Sequence, residues 1–211
     1  MTQPRRSRLR DTATGYGWIS IALHWLTAVV VVALLFIGSS IAGAEPQERQ
    51  AVVLLHTSIA VSAYAVLWYR VIWRFAKGHP NALPRQPRVF FLLGKYVHYA
   101  MLAAMACMLV SGPLMVWSQG ASIGVFDWFA IPSPFTASYA LHDVLHSVHR
   151  TAAMVIAIGF VLHLGGVYKH AAFDQDGTFG KMLIPAAQDA AEEPTTDDAG
   201  VRTVARPTRA E

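Results

Sequence analysis

The chain has 211 residues, of which 54% are hydrophobic and only 14% are charged, and its mean hydropathy is +0.37. A soluble domain usually carries about 25% charged residues, so this composition argues against a soluble enzyme and indicates a membrane protein. The net charge is +4, but the basic residues stand beside the ends of the apolar stretches. Nucleic-acid binding is therefore a poor explanation for the positive charge.

Four long stretches of the sequence contain no charged side chain. They run from Thr12 to Ala44, from Ala51 to Tyr69, from Tyr96 to Phe126 and from Thr151 to Tyr168. Each approaches or exceeds the roughly 20 residues that a helix needs to span the hydrocarbon core. We therefore predict an all-α integral membrane protein, a four-transmembrane-helix up-down bundle. The spans are predicted at about Trp18 to Ile41, Gln50 to Phe75, Gly94 to Ser118 and Leu141 to Tyr168.

Charge and composition divide the chain into three parts. Residues 1–14 form a basic arm and residues 15–185 form the membrane domain. Residues 186–211 are rich in Ala, Thr, Pro and acidic residues, and we predict that they form a disordered tail. Basic residues fill the arm and flank the loop between the second and third spans, whereas the other two loops nearly lack them. The positive-inside rule therefore predicts that both termini are cytoplasmic.

Two features interrupt the apolar pattern of the third span and the loop that follows it. The pair Gly112-Pro113 is expected to kink the third helix in its outer third. The segment from Gln119 to Tyr139 holds aromatic residues near Trp128. We expect this segment to cap the bundle at the membrane interface, where Trp and Tyr are favoured.

Histidines within the predicted spans are the main candidates for function, because polar side chains inside a membrane are costly and generally mark function. Successive helices alternate in direction, so His24 and His163 lie toward the cytoplasmic side, and His56 and His149 lie toward the outer side. His149 and His163 are separated by about 21 Å along one helix and lie on nearly the same face. Matching by depth predicts two sites, His24 with His163 and His56 with His149.

The chemistry of these pairs favours haem. A neutral imidazole is a good axial ligand for haem iron, and the core of a helix bundle can hold the macrocycle. Zinc would need three or four ligands at one depth, whereas the charge-free stretches supply no carboxylate and one remote thiol, Cys107. No C-x-x-C-H motif is present, which excludes covalent c-type attachment. The alternative is that the histidines only form hydrogen bonds between helices.

Other polar residues near the spans have weaker signals, and none is predicted to be catalytic. Arg70 follows His56 on the same helix face but at the inner end, where it could contact a haem propionate or serve as an ordinary membrane anchor. His98 opens the third span near the inner side. It is a candidate for a hydrogen bond to a haem propionate or to a quinone. Its depth also allows it to compete with His24 as a ligand. His142 and His146 are expected to lie at the interface without a specific role.

These residues resemble those of a known family. Ile21-Ala-Leu-His24-Trp25, Leu55-His56, Arg70-x-x-x-Arg74, Gly112, and His149 with His163 are similar to the pattern of the bacterial cytochrome b561 family, which includes the b-type cytochrome subunits of nickel hydrogenases. The resemblance implies a four-helix bundle in the bacterial inner membrane that binds two haem b groups. His24 and His163 would hold the inner haem, and His56 and His149 the outer one.

The resemblance also implies a function and partners. Compact members of the family exchange electrons with quinone, and one relative oxidises superoxide at the outer face. We therefore expect an electron carrier with membrane lipid and ubiquinone as partners, and with a redox protein or superoxide at the outer face. One alternative is the haem-bearing membrane anchor of a hydrogenase or dehydrogenase. Another is a haem-free metal or proton transporter, although such pathways usually contain buried Asp or Glu and the charge-free stretches have none.

Overall fold

The computed structural model describes residues 9–13, 15–78 and 87–185. Within them four long helices dominate, each long and apolar enough to cross a membrane. They are α1 (Trp18–Ile41), α2 (Pro46–Lys77), α3 (Arg88–Trp117) and α4 (Tyr139–Tyr168). The prediction of an all-α bundle with four spans is therefore confirmed. Most of the predicted basic arm, residues 1–14, and the whole predicted tail, residues 186–211, lie outside the described residues.

Two helices begin at least one full turn earlier than the predicted spans. α2 begins at Pro46 instead of Gln50, and proline suits a first helical position because the N–H it lacks would have no helical partner there. α3 begins at Arg88 instead of Gly94. These extra turns carry charged residues, so the helices extend beyond the hydrocarbon core into the water-facing layer. α3 runs through Pro113, where a kink was predicted, and remains one helix to Trp117.

α1 packs on α2, and α3 packs on α4 and α2. The core lies between α2, α3 and α4, and its most buried apolar side chains include Leu67, Leu102 and Ile156. α3 and α4 approach closely at Gly159, where an added Cβ would lie 2.6 Å from Cγ of Met101. Many large apolar side chains on the outside of the helices are exposed, as lipid-facing side chains should be.

We name the end of the bundle that holds the start of α1 and the end of α4 the inner end, and the opposite end the outer end. At the outer end a hairpin joins α3 to α4, with β1 (Ile123–Val125) antiparallel to β2 (Phe129–Ile131). The backbone N–H of Phe126 donates to Oγ of the fully buried Ser58 at 2.6 Å. The segment predicted to cap the bundle thus packs on α2, although the sequence pattern did not predict its strands.

At the inner end the chain after α4 turns back toward α1. A π-helical turn, Lys169–Asp174, follows α4, and the indole Nε1 of Trp25 donates to the carbonyl oxygen of Met182 at 2.8 Å. His170 lies within this segment, where its Nδ1 is 2.8 Å from a carboxylate oxygen of Asp176. Asp174 is bound to Lys169 at 2.8 Å. We interpret this group as a local ion-pair network because a lysine already neutralises one of its carboxylates.

Candidate functional site

Three imidazole rings and one guanidinium group meet at the inner end, each from a different helix. They belong to His24 of α1, Arg70 of α2, His98 of α3 and His163 of α4. The ring centroids of His24 and His163 are 6.1 Å apart, with 66° between the ring planes. The ring of His98 lies closer to that of His163, at 4.9 Å and edge to face. The structure thus brings together the predicted pair and places His98 beside it.

The orientation of His98 is set by its own helix. Its Nδ1 lies 2.6 Å from the carbonyl oxygen of Gly94, one turn earlier in α3. A carbonyl oxygen only accepts, so Nδ1 carries the hydrogen and donates it. This bond selects one tautomer of the neutral ring and directs the opposite edge of the imidazole away from the backbone of α3.

Arg70 is buried among these histidines, with 9% of its surface exposed. Its Nη2 lies 3.4 Å from Nδ1 of His24. Its Nη1 is buried and has no hydrogen-bond partner among the described residues. A buried guanidinium group with an unpaired N–H is costly, and the cost is relieved by an anion that accepts from it.

Arg74 differs from Arg70 because the polypeptide satisfies it. Its guanidinium donates to Oγ of Ser20 at 3.0 Å and to the carbonyl oxygen of Gly78, and it forms an ion pair with Asp11 at 3.4 Å. The ring of Tyr16 lies under its guanidinium carbon, 4.8 Å from the centroid. Arg74 therefore holds the segment before α1 against α2 and is already engaged, whereas Arg70 keeps an N–H for another group.

At the outer end His56 of α2 and His149 of α4 line one apolar cavity. The cavity lies between all four helices and encloses about 850 Å³, counting its open side. Volumes of this order are typical of sites for cofactors and drug-sized ligands. Ile123 of the hairpin also contributes to the wall. The second predicted pair therefore faces a shared space of suitable size beneath the hairpin.

Small residues of the neighbouring helices hold the two outer imidazoles. An added Cβ at Gly38 would lie 3.2 Å from Cε1 of His56, and one at Gly112 would lie 3.4 Å from Cε1 of His149. The backbones of α1 and α3 can approach the rings this closely because glycine has no side chain. Oγ of Ser111 lies 3.1 Å from Nδ1 of His149 and orients that ring. Gly38 and Ser111 were not predicted, although a glycine and a serine inside apolar helices were available signals.

The remaining predicted histidines lie nearer the outer surface. The rings of His142 and His146 are stacked with centroids 6.0 Å apart. Nδ1 of His142 is 3.1 Å from the carbonyl oxygen of Met115, and the amide of Gln119 lies against the same ring. These contacts fit the expected placement at the interface, and these two residues are not among those that line the cavity.

Comparison with known proteins assigns the family. The profile described as prokaryotic cytochrome b561 matches residues 15–184, nearly all of the described chain. The chain belongs to the prokaryotic cytochrome b561 family. Cytochrome b561 homolog 2 of Escherichia coli (strain K12) is 28% identical over 181 residues, which cover 85% of this chain and 96% of that relative. The family resemblance expected from the sequence is therefore confirmed. Cytochromes b561 are membrane electron-transfer proteins that bind haem b.

The residues of this chain could accommodate haem b at both ends of the bundle. The outer end offers two imidazoles in a large apolar cavity. The inner end offers imidazoles beside Arg70, whose unpaired buried N–H suits a propionate. A metal–imidazole bond is about 2.0 Å long, so two rings on opposite sides of one metal have centroids roughly 6.4 Å apart. The separation of 6.1 Å between His24 and His163 is close to this value.

Proposed function

We propose that this chain is a di-haem b electron carrier of the bacterial inner membrane that exchanges electrons with the ubiquinone pool. The observation that carries the proposal is the presence of one histidine pair at each end of a single bundle, with α4 contributing to both. When bound, haem b supplies a reversible one-electron couple, and two axial imidazoles favour electron transfer over oxygen binding. The polypeptide supplies the ligands, the apolar surroundings and the orientation.

For the inner site we propose that His24 and His163 would hold the haem iron. Their centroid separation of 6.1 Å would leave room for a metal ion bound by both rings, whereas the 4.9 Å between His98 and His163 would not. This comparison supports His24 over His98 as the partner of His163. Arg70 would donate to a propionate of the same haem through Nη1.

For the outer site we propose His56 and His149. Both line the same cavity, and the wall contributed by all four helices is otherwise almost entirely apolar. Ser111 would accept the hydrogen bond from Nδ1 of His149, which leaves Nε2 unprotonated for iron. Such a partner fixes both the tautomer and the direction of the ligating ring.

His98 is our candidate for contact with the quinone head group. Its ring lies beside the inner pair, and because Nδ1 carries the hydrogen, Nε2 is the acceptor nitrogen, which suits the hydroxyl of a reduced quinone. The excess of basic residues at the inner end supports a cytoplasmic position for that end and for both termini. At the outer face the partner in this proposal is a redox protein or superoxide.

Haem quantification on the purified full-length chain tests the proposal. We expect two b haems per chain, and a reduced-minus-oxidised spectrum that resolves into two components. His24→Ala and His163→Ala should remove the same component, and His56→Ala and His149→Ala should remove the other. His146→Ala is the matched control, because this histidine lies on the same helix outside the cavity, and it should retain both haems. A single haem per chain, or loss of one component in both His56→Ala and His163→Ala, would contradict the pairs.

Topology and quinone contact need separate measurements. A fluorescent protein fused to the C-terminus should be fluorescent in cells, whereas alkaline phosphatase at the same position should be inactive. Reoxidation of the reduced protein by a short-chain ubiquinone should be slower in His98→Ala than in the parent. The same variant should retain two haems, and equal reoxidation rates would remove His98 from the proposal.

A further inference from the structure

The two ends of the bundle differ in buried charge. We propose that Arg70 makes the inner site the higher-potential of the two, so that electrons move from the outer site to the inner one. This inference rests on the proposed function, because it assumes a haem at each histidine pair. It adds a direction of flow, which neither the family nor the ligand set specifies.

The inner end holds an excess of positive charge. Arg70 is 9% exposed and Arg74 is 3% exposed, and the acidic side chain in contact with this network is Asp11. Two guanidinium groups against one carboxylate leave one net positive charge. Asp11 is bound to Arg74, Ser20 and the backbone of Gly17, so Arg70 has no direct counterion among the described residues.

The outer end is neutral by comparison. The residues that line its cavity include no Lys, Arg, Asp or Glu, and their polar side-chain groups are two imidazoles and the hydroxyls of Thr57 and Tyr64. The nearest polar contact to His149 is the neutral hydroxyl of Ser111. Arg150 follows His149 in the chain, but its side chain is exposed and is not among those that line the cavity.

Reduction adds an electron to a site, so a nearby positive charge favours the reduced state. The effect is strong in a buried, low-dielectric environment and weak for an exposed charge. A propionate bound to Arg70 does not reverse it, because the guanidinium then cancels a negative charge that would otherwise oppose reduction. The charge of Arg70 therefore raises the potential of the inner site in either case.

One ligand of each pair differs in the same direction. Nδ1 of His149 faces a hydroxyl oxygen, which can accept a hydrogen bond and make the imidazole a stronger donor to iron. Nδ1 of His24 faces Nη2 of Arg70, and a guanidinium group has donors but no acceptor. A less basic ligand stabilises the oxidised iron less, so this contact also raises the potential of the inner site relative to the outer one.

Potentiometric titration of the two spectral components in the full-length chain tests the inference. We expect two resolved midpoint potentials in the parent. In Arg70→Gln, the midpoint potential of the inner component should be lower than in the parent. A unit charge roughly 10 Å away, at an effective dielectric constant of about 20, changes the reduction equilibrium about 17-fold, equivalent to about 72 mV for one electron. Arg70→Lys retains the charge and should shift the midpoint less. Arg88→Gln removes an exposed cation from the same end and should change neither midpoint.

A second variant identifies the outer component without altering Arg70. Ser111→Ala removes the acceptor at His149 and should raise the lower of the two midpoints while leaving the higher one in place. If Ser111→Ala instead shifts the higher midpoint, or if Arg70→Gln leaves both unchanged, the inference is overturned. If Arg70→Gln does not retain the inner haem, the test rests on Ser111→Ala, and a shift of the higher midpoint potential in that variant overturns the inference.

Failure of the inference is distinguishable from failure of the proposed function. Two haems with the pairs described above, but with the higher midpoint at the outer site, would overturn the gradient alone. One haem per chain would overturn the pairs, and the gradient with them. Haem content and midpoints are measured on the same purified sample, so both results come from one preparation.

Discussion

Arg74 and Asp11 form a buried ion pair that joins the segment before α1 to the inner end of α2. Nη2 of Arg74 lies 3.4 Å from Oδ2 of Asp11, and the two side chains are 3% and 10% exposed. Asp11 also accepts from the backbone N–H of Gly17, at the residue before α1, and from the hydroxyl of Ser20. A single carboxylate therefore orients the start of α1, the helix that carries His24.

Asp11→Asn should destabilise the protein. Removing the carboxylate leaves the guanidinium of Arg74 buried without its counterion, and breaking such a pair costs about 3–5 kcal/mol. We expect a cost near the lower limit because Arg74 keeps its bonds to Ser20 and Gly78. Thermal unfolding in detergent, followed by circular dichroism, measures it. Asp127→Asn removes an exposed carboxylate and is the control, and an equal transition temperature in both variants would contradict the prediction.

Gly38→Val should weaken binding at the outer site. Even a Cβ at Gly38 would lie 3.2 Å from the ring of His56, so the larger side chain must displace that imidazole. Overpacking of this kind costs about 1–3 kcal/mol. We expect loss of the outer haem component with the inner one unchanged, measured as haem per chain and by difference spectrum. Gly43→Val is the control because nothing lies within 4 Å of a Cβ there.

Much of the fold was readable from the sequence because a bilayer imposes simple constraints. The charge-free stretches set the number of spans, and alternation of helix direction assigned each histidine a depth. Depth placed His24 with His163, and the structure brings these rings within 6.1 Å. Depth could not rank His98 against His24, since both lie near the inner end. That ranking needs the distances between rings, which depend on helix rotation.

Gly159→Ala should destabilise the packing of α3 on α4, and shortening the facing side chain should restore it. The new Cβ would lie 2.6 Å from Cγ of Met101, which outweighs the gain of about 1 kcal/mol in helix propensity. We expect a net loss of about 1–2 kcal/mol. Met101→Ala in the same chain should recover most of it, so the two changes are non-additive in thermal unfolding. Gly166→Ala, which meets open space, serves as the control.

Asp176→Asn should loosen the segment after α4 in a pH-dependent way. Partial burial raises the pKa of Asp176, but hydrogen bonds from Thr178 and the neighbouring His170 lower it more, so the net pKa lies below its usual 3.8. A lowered folded-state pKa contributes stability above the unfolded value, and this stability is lost as the pH falls through the folded value. The carboxylate therefore stabilises the segment at pH 6, and this stabilisation is lost as the pH falls below 3.8 through the folded-state pKa.

Hydrogen exchange of the peptide that contains Thr178 measures this effect. The difference between Asp176→Asn and the parent, compared at equal pH, should be largest at pH 6 and should decrease as the pH falls through the folded-state pKa of Asp176. We expect less than about 1 kcal/mol because the site is partly exposed. A difference that persists at the lowest pH would show that the side chain acts through packing instead of charge.

The features that the sequence did not predict depend on contacts between distant parts of the chain. The hairpin strands have three residues each, too few for a reliable alternation pattern, and they are set by the bond from Phe126 to Ser58 and by packing on α2. Gly38 was not recognised because its partner, His56, lies on another helix. The different roles of Arg70 and Arg74 also required coordinates, since both lie at the same end of one helix.

α4 carries one member of each histidine pair, whereas α1 and α2 carry one histidine of one pair each. A rotation of α4 about its axis would therefore turn His149 and His163 together, and a slide along the axis would move both by the same amount. The two sites cannot be adjusted independently through this helix. Substitutions that reposition α4 should displace one histidine of each pair at once, while those that reposition α1 or α2 should displace a histidine of one pair only, which makes α4 the mechanical link between the pairs.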